Sequence, residues 1–145
     1  MSNERLYCSF YLDEHLFGLD IAAVQEVIRH QDITRLPLAA PAVEGVINLR
    51  GRIVPAVDLR RCLGMEAAPE RSDPTNIIVR AAGAASVSLL VDKIGDVIEA
   101  PEGAFERCPE TMRGIARELI HGVVSVQDGL LLVLDIGKVL RAAYA

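Results

Sequence analysis

Apolar residues along this chain fall into short runs, some alternating and some continuous, each stopped by Gly, Pro or Asp. Leu6–Leu12 alternates, with Leu6, Cys8, Phe10 and Leu12 on one face, which is the period-two signature of a half-buried strand. Asp13, Glu14 and His15 form a polar turn, and Leu16–Leu19 continues as a second strand. Asp20 is placed to cap a short helical turn over Ile21–Gln25, because its carboxylate can accept the free amides there. Residues 26–30 read as extended, and the short run Thr34–Leu36 is stopped by Pro37. Gly45–Leu49 and Ile53–Val57 are aliphatic, β-branched runs around Arg50 and Gly51 and predict a hairpin. Pro55 cannot donate to a ladder, so the second of these strands is expected at an edge or bulged. Asp58 is the expected cap of a helix over Leu59–Leu63, closed by Gly64. Met65–Thr75 reads as an exposed loop.

The later part of the chain repeats the order. Residues 76–80, Val87–Val91 and 96–99 read as strands, with a turn around Gly83. Ile115–Leu119 has helical character. Val123–Val126 and Leu130–Leu134 form a hairpin over Gln127, Asp128 and Gly129, and Asp135 caps a final helix over Ile136–Tyr144. The repetition extends to residue identity. GVINLRGRIVPAVDLRRCL at Gly45–Leu63 is echoed seventy-seven positions later by GVVSVQDGLLLVLDIGKVL, with Gly45/Gly122, Val46/Val123, Asp58/Asp135 and Leu63/Leu140 identical. FGLDIAAVQEVI at Phe17–Ile28 is echoed at an offset of seventy by VSLLVDKIGDVI. One small unit is thus used twice, and about ten short strands with tight turns imply small closed or nearly closed barrels, with a seam between them that suits a partner.

Composition narrows the function classes. At 145 residues and 51% apolar the chain can bury a core, and with 4% aromatics and no Trp that core is aliphatic. A net charge of −5 argues against a general nucleic-acid surface. No apolar run is long enough to span a bilayer, and MSNERLYCSF lacks the layout of a signal peptide. Cys8, Cys62 and Cys108 are far apart and odd in number, so reduced cysteines in a cytoplasmic protein are expected rather than a disulfide framework or zinc site.

No catalytic motif emerges. His15, His30 and His121 have no metal-ligand spacing, and there is no nucleophile elbow, Walker loop or dinucleotide fingerprint. The reading is therefore of a non-enzyme with no cofactor and no metal. Capping explains Asp58 and Asp135 better than a catalytic pair does. A small hydrolase or ligand-binding barrel would need convergent polar residues in a pocket, and the sequence shows none. Arg50 stands out because the matching residue in the second copy is Gln127, so the fold does not require Arg there. Either water or a carboxylate must serve it. Glu26, in a strand of the same lobe, is the expected partner, in a pair whose use lies in orienting a bound partner rather than in stability.

The run GVINLRGRIVPAVDLR, preceded by FGLDIAAVQEVI and ITRLP and followed by LLVDKIGDVI, strongly resembles the CheW family of bacterial chemotaxis coupling proteins, in order and spacing, from Leu6 to about Tyr144. The resemblance implies a mainly β fold: two small five-stranded, SH3-like β-barrels packed on a shared hydrophobic core, with short helices and a C-terminal helix. They would form a single domain over residues 1–145, the two lobes intertwined, their boundary in the Met65–Thr75 loop and terminal segments crossing over. It implies a cytoplasmic, non-enzymatic adaptor, recruited to receptor arrays at the inner face of the membrane. The adaptor would couple the cytoplasmic tips of methyl-accepting chemoreceptors to the regulatory domain of a CheA-type histidine kinase, without nucleic acid or membrane insertion. A coupling protein of a separate chemosensory system, controlling type IV pili or second-messenger output, is the alternative within the family.

By the same resemblance, the receptor helix would lie in the groove between the barrels, against Val24, Glu26 and Arg50, with Gly45 nearby and Ile53, Leu89 and Val91 lining it. Kinase contact carries over to Ile33, Arg35 and Glu44, and to a second stretch holding Glu106, Arg107, Glu110 and Thr111. The family carries a basic residue at the place of Glu106 and an aromatic at that of Thr111. Here the charge is reversed and the aromatic is absent, with Arg107 one place on as the substitute cation. That departure bears on ring closure, not on the bridging role. The basic residue often found before the Gly45 position is Glu44 here, which suggests a non-standard partner.

Overall fold

The structure, a computed structural model, describes residues 4–29, 31–36, 40–66, 75–80, 85–109, 115–127 and 129–144. Its strands are β1 (Glu4–Leu12), β2 (His15–Asp20), β3 (Val24–Ile28), β4 (Val43–Leu49), β5 (Arg52–Asp58), β6 (Thr75–Val79), β7 (Val87–Val91), β8 (Lys93–Pro101), β9 (Ile120–Val126) and β10 (Gly129–Leu134). Helix α1 spans Leu59–Cys62 and α2 spans Ile136–Ala143, with single 3-10 turns at Ile21–Ala23, Glu102–Ala104 and Arg117–Leu119. The caps read from sequence are in place: Asp20 accepts from the Ala22 amide, Asp58 from that of Arg60 and Asp135 from that of Lys138. The helical turn after Asp20 is shorter than its sequence suggests, because β3 begins at Val24. The turn before β9 is likewise a single 3-10 turn rather than a helix over Ile115–Leu119.

Two five-stranded sheets result, in the orders β8-β1-β2-β10-β9 and β3-β6-β7-β5-β4. Exchanging each strand of β1–β5 with the one five later, in both directions, converts the second order into the first. The sheets do not divide between α1 and β6, where residues 67–74 of the expected loop lie outside the described residues. The β1–β2 hairpin joins β8, β9 and β10, and the β6–β7 hairpin joins β3, β4 and β5, so each half of the chain gives a hairpin to the other half's sheet. The donated hairpins are held by parallel pairs, β2 with β10 and β7 with β5. Here the sheet containing β1 is called barrel A and the other barrel B.

The identical Gly-Val pairs mark how each sheet curls on itself. Beyond edge strand β3, Thr34 exchanges two 2.8 Å backbone hydrogen bonds with Val46 of the opposite edge strand, β4. Beyond edge strand β8, Glu106 does the same with Val123 of β9. Gly45 and Gly122 precede these bridges and lie against the crossing chain. A Cβ on Gly45 would stand 2.2 Å from the Thr34 carbonyl oxygen, and one on Gly122 would stand 2.9 Å from the Phe105 ring.

Strand alternation divides the apolar side chains between three clusters. One row fills barrel A (Tyr7, Ala100, Val124, Leu131, Val133), another fills barrel B (Ile47, Val54, Ala56, Ile78, Leu90), and the opposite faces meet in a larger shared core around Phe10, Phe17, Leu59, Leu89 and Leu132. This arrangement buries both faces of the middle strands. Tyr7, Cys8, Ser9 and Phe10 are all buried, whereas Leu6, expected on the buried face, is exposed. It also accommodates Pro55 without an edge. Strand β5 lies inside its sheet, opposite β4, and the parallel pairing with β7 begins one residue later, at Ala56 and Ser88, so no ladder bond is asked of the proline.

Candidate functional site

The β4–β5 hairpin turns through only two residues, Arg50 and Gly51, at φ +52 and +84°. Two left-handed residues make the turn whose twist matches a hairpin, and the first is more usually Asn, Asp or Gly. The Asn48 side chain fastens the turn by accepting from the Gly51 amide at 2.8 Å. An arginine in this backbone conformation is a strained choice, and strain of this kind points to use. Its guanidinium crosses to β3 and donates two hydrogen bonds to the Glu26 carboxylate, at 2.8 and 2.7 Å. The hydrogen bond from Arg50 holds the Glu26 carboxyl below its ordinary range, and Glu26 in turn raises the guanidinium. Arg50 remains 71% exposed, so the pair contributes little to folding and presents a fixed fork at the surface.

The pair stands at the mouth of barrel B over a depression of about 330 Å³ floored by Leu49 and Val54. Ser86, whose hydroxyl donates to Gln25 at 2.6 Å, belongs both to this depression and to a larger, mainly apolar one of about 650 Å³. The larger one lies between Pro55 and Val87 of barrel B and Leu140 and Tyr144 at the end of α2. Along one face of β5, Val57 is buried in the shared core, Pro55 is half-buried and Ile53 is 67% exposed. The apolar core thus runs out to the surface along this row, beside a fixed ion pair.

Of the residues expected at a receptor groove, Glu26 and Arg50 are joined directly and Ile53 is an exposed apolar side chain on the same hairpin. Val24 is half-buried with its side chain on the shared core. Gly45 is buried and serves the backbone crossing at Thr34. Leu89 and Val91 do not line a groove: both are fully buried in the shared core, because that face of β7 points between the barrels while Ser88 and Leu90 point into barrel B. The apolar depression beside the pair is lined instead by Pro55, Leu140 and Tyr144, and no local motif in the sequence marks them as neighbours.

The residues expected at the kinase flank the two sheet-closing bridges. Ile33 is half-buried against the barrel B cluster. Arg35 faces Glu44 across Thr34 and Gly45, with 3.8 Å between charged atoms. Glu106 and Arg107 are exposed at the equivalent bridge of barrel A. Glu110 and Thr111 lie outside the described residues, as do His30 and the turn around Gly83. Among the described residues no group of three His, Cys, Asp or Glu side chains is placed to hold a metal, and no helix is long and apolar enough to cross a membrane.

Comparison with known proteins agrees with this architecture. The model of the CheW-like domain family matches residues 6–144. The chain is 34% identical over 133 residues to the chemotaxis protein CheW of Treponema pallidum (strain Nichols), covering 90% of this chain and 78% of that protein. The crystal structure of the scaffolding protein TtCheW from Thermoanaerobacter tengcongensis has a TM-score of 0.81 and 32% identity, covering 94% of this chain and 86% of that one. Protein PilI of Pseudomonas aeruginosa is 29% identical over 114 residues, covering 79% of this chain and 64% of PilI. With its two interlocked barrels and a family match over nearly its whole length, this chain belongs to the CheW-like domain family.

Proposed function

We propose that this chain is a non-enzymatic coupling protein of chemotaxis that joins the cytoplasmic tip of a chemoreceptor to the regulatory domain of a CheA-type histidine kinase, on the cytoplasmic side of the membrane. The observation that carries this reading is the Glu26–Arg50 fork held beside an apolar row that runs from the shared core to Ile53. A helix laid across that surface would anchor apolar side chains at Ile53, Pro55, Leu140 and Tyr144 and take its register from the fork. Kinase contact belongs to the bridge residues Ile33, Arg35 and Glu44, with Glu106, Arg107, Glu110 and Thr111 as the second stretch.

Titration with a receptor-tip fragment tests this. Arg50→Ala and Ile53→Ser are expected to weaken receptor binding severalfold while the melting midpoint stays unchanged, since both side chains are largely exposed. Unchanged affinity in both variants would remove the groove from the account. A second reading, a coupling protein of a separate chemosensory system, is favoured by the similarity to PilI. Binding to that system's kinase in preference to the chemotaxis kinase would select it.

A further inference from the structure

The pseudo-two-fold relation supplies an internal control for buried polar groups. In barrel B, Asn76 is fully buried opposite Ile28 and Leu90. Its amide donates to the Arg29 carbonyl at 3.3 Å and accepts from the Ser88 hydroxyl at 2.9 Å, so the site is satisfied internally. The equivalent residue of barrel A is Tyr7, opposite Ile98 and Asp20, and the position of Ser88 is taken there by Gly18. Tyr7 is 2% exposed, and its hydroxyl makes no hydrogen bond to any described residue. A buried hydroxyl is normally paired.

That side chain lines a cavity of about 530 Å³ at one end of barrel A. Arg5, Asp20, Glu102 and His121 line it too. Burial raises the Tyr7 hydroxyl above its ordinary value. Asp135, the cap of α2, is a third carboxylate. Arg5 lies across the mouth and reaches Asp20 at 3.2 Å and Glu102 at 3.4 Å, both at the long end for charge-assisted bonds, with half of its side chain exposed. Arg5 and His121 thus share the cavity with three carboxylates. The wall beyond is apolar: Phe105, edge-on to Tyr7 at 5.8 Å, with Val133 and Leu134.

We propose that this cavity binds a primary alkylammonium group, its three N–H donors taken by Asp20, Glu102 and the Tyr7 oxygen and its methylenes laid along Phe105, Val133 and Leu134. The three carboxylates disfavour an anion, and the bonds that Asp20 and Glu102 accept from Arg5 are long enough for an ammonium, with its three donors, to displace them. Arg5 then acts as an internal competitor that a ligand displaces. The same ammonium chemistry is found on a free amine and on a lysine side chain of another protein. The proposal does not depend on the coupling role.

The test is titration of the intact chain with 1,5-diaminopentane and, separately, with Nα-acetyl-lysine methylamide, followed by the NMR signals of Tyr7, Phe105 and His121, with hexanoate as the anionic control. Saturable shifts with either cation support the site, and the probe that binds more tightly identifies the source. Tyr7→Phe is expected to weaken binding about tenfold or more while leaving the melting midpoint unchanged or higher, because the lost hydroxyl has no partner in the fold. Arg5→Gln should tighten binding. Asp20→Asn combined with Glu102→Gln should abolish it, and Asn retains the capping function. The proposal is overturned if neither cation binds, if hexanoate binds in their place, if Tyr7→Phe binds as the parent does, or if that substitution lowers the melting midpoint by several degrees.

Discussion

Arg60 offers a direct test of how the halves are locked together. It sits in α1 with a side chain only 5% exposed, and its guanidinium uses every donor. Nε donates to Asp92 at 3.0 Å, and one terminal nitrogen donates to Asp13 at 3.2 Å and to the Glu66 carbonyl at 3.0 Å. The other terminal nitrogen reaches Asp13 at 2.6 Å and pairs with Asp92. Asp13 lies in the β1–β2 turn of barrel A, and Asp92 lies where the chain passes from β7 in barrel B to β8 in barrel A. One cation therefore ties the donated hairpin of barrel A to the crossover from barrel B. Hydrogen bonding to Asp92 raises the guanidinium above its already high range, so it stays charged throughout.

Arg60→Met removes the cation but keeps most of the stem. Breaking a buried ion pair by removing one partner costs about 3–5 kcal/mol. Asp13 is 52% exposed and regains water in the variant, so a discounted loss of about 2–4 kcal/mol is expected. For a domain of this length that is a fall of roughly 5–15 °C in melting midpoint. Thermal unfolding followed by far-UV circular dichroism would read it, and adding Asp92→Asn should recover part of the loss by removing one of the carboxylates left facing each other. A midpoint within about 2 °C of the parent, or no recovery in the double variant, would refute the clamp.

Three further outcomes follow from the geometry. Gly45→Ala should cost about 2–4 kcal/mol in chemical unfolding, by breaking the paired bonds between Thr34 and Val46 and crowding backbone. Gly122→Ala should cost less, because the nearest atom it meets belongs to the Phe105 ring. Leu89→Ala should lower stability by about 2–5 kcal/mol, as a core truncation does, and a stable variant with a selective binding defect would show that Leu89 reaches the surface. The Glu26 carboxyl is depressed by Arg50, so its pairing contribution is complete above the ordinary carboxylate value of 4.5 and is lost only as pH falls through the lower folded value. A carboxyl-carbon NMR titration with a midpoint at or above that value would contradict the bidentate geometry.

Much of the local structure was legible because it is written locally. Asp58 and Asp135 precede short helices, Arg50-Gly51 separates two β-branched runs, and period-two alternation marks β1. What sequence could not show depends on contacts between distant residues. Nothing in β6 and β7 says that their hairpin pairs with β5 rather than with the strands that follow it. The burial of Leu89 and Val91 follows from that pairing, which their position along the sequence does not reveal. Their five-residue strand carries no exposed face because one side meets a barrel interior and the other the shared core. The cavity around Tyr7 was invisible for the same reason. Arg5, Asp20, Glu102 and Asp135 are spread over most of the chain and share no motif, and Tyr7 becomes conspicuous only when Asn76 shows what an internally satisfied counterpart looks like.

The proposed coupling role requires one chain to hold two partners at once, the receptor beside the Glu26–Arg50 fork and the kinase along the sheet-closing bridges. The most direct measurement is a bridging assay, in which an immobilised receptor-tip fragment is asked to retain the regulatory domain of a CheA-type kinase with and without this chain. The account predicts retention only when the chain is present, loss of retention with Arg50→Ala, and direct kinase binding by that variant equal to the parent's. Retention that does not need the chain, or that survives Arg50→Ala undiminished, would contradict it.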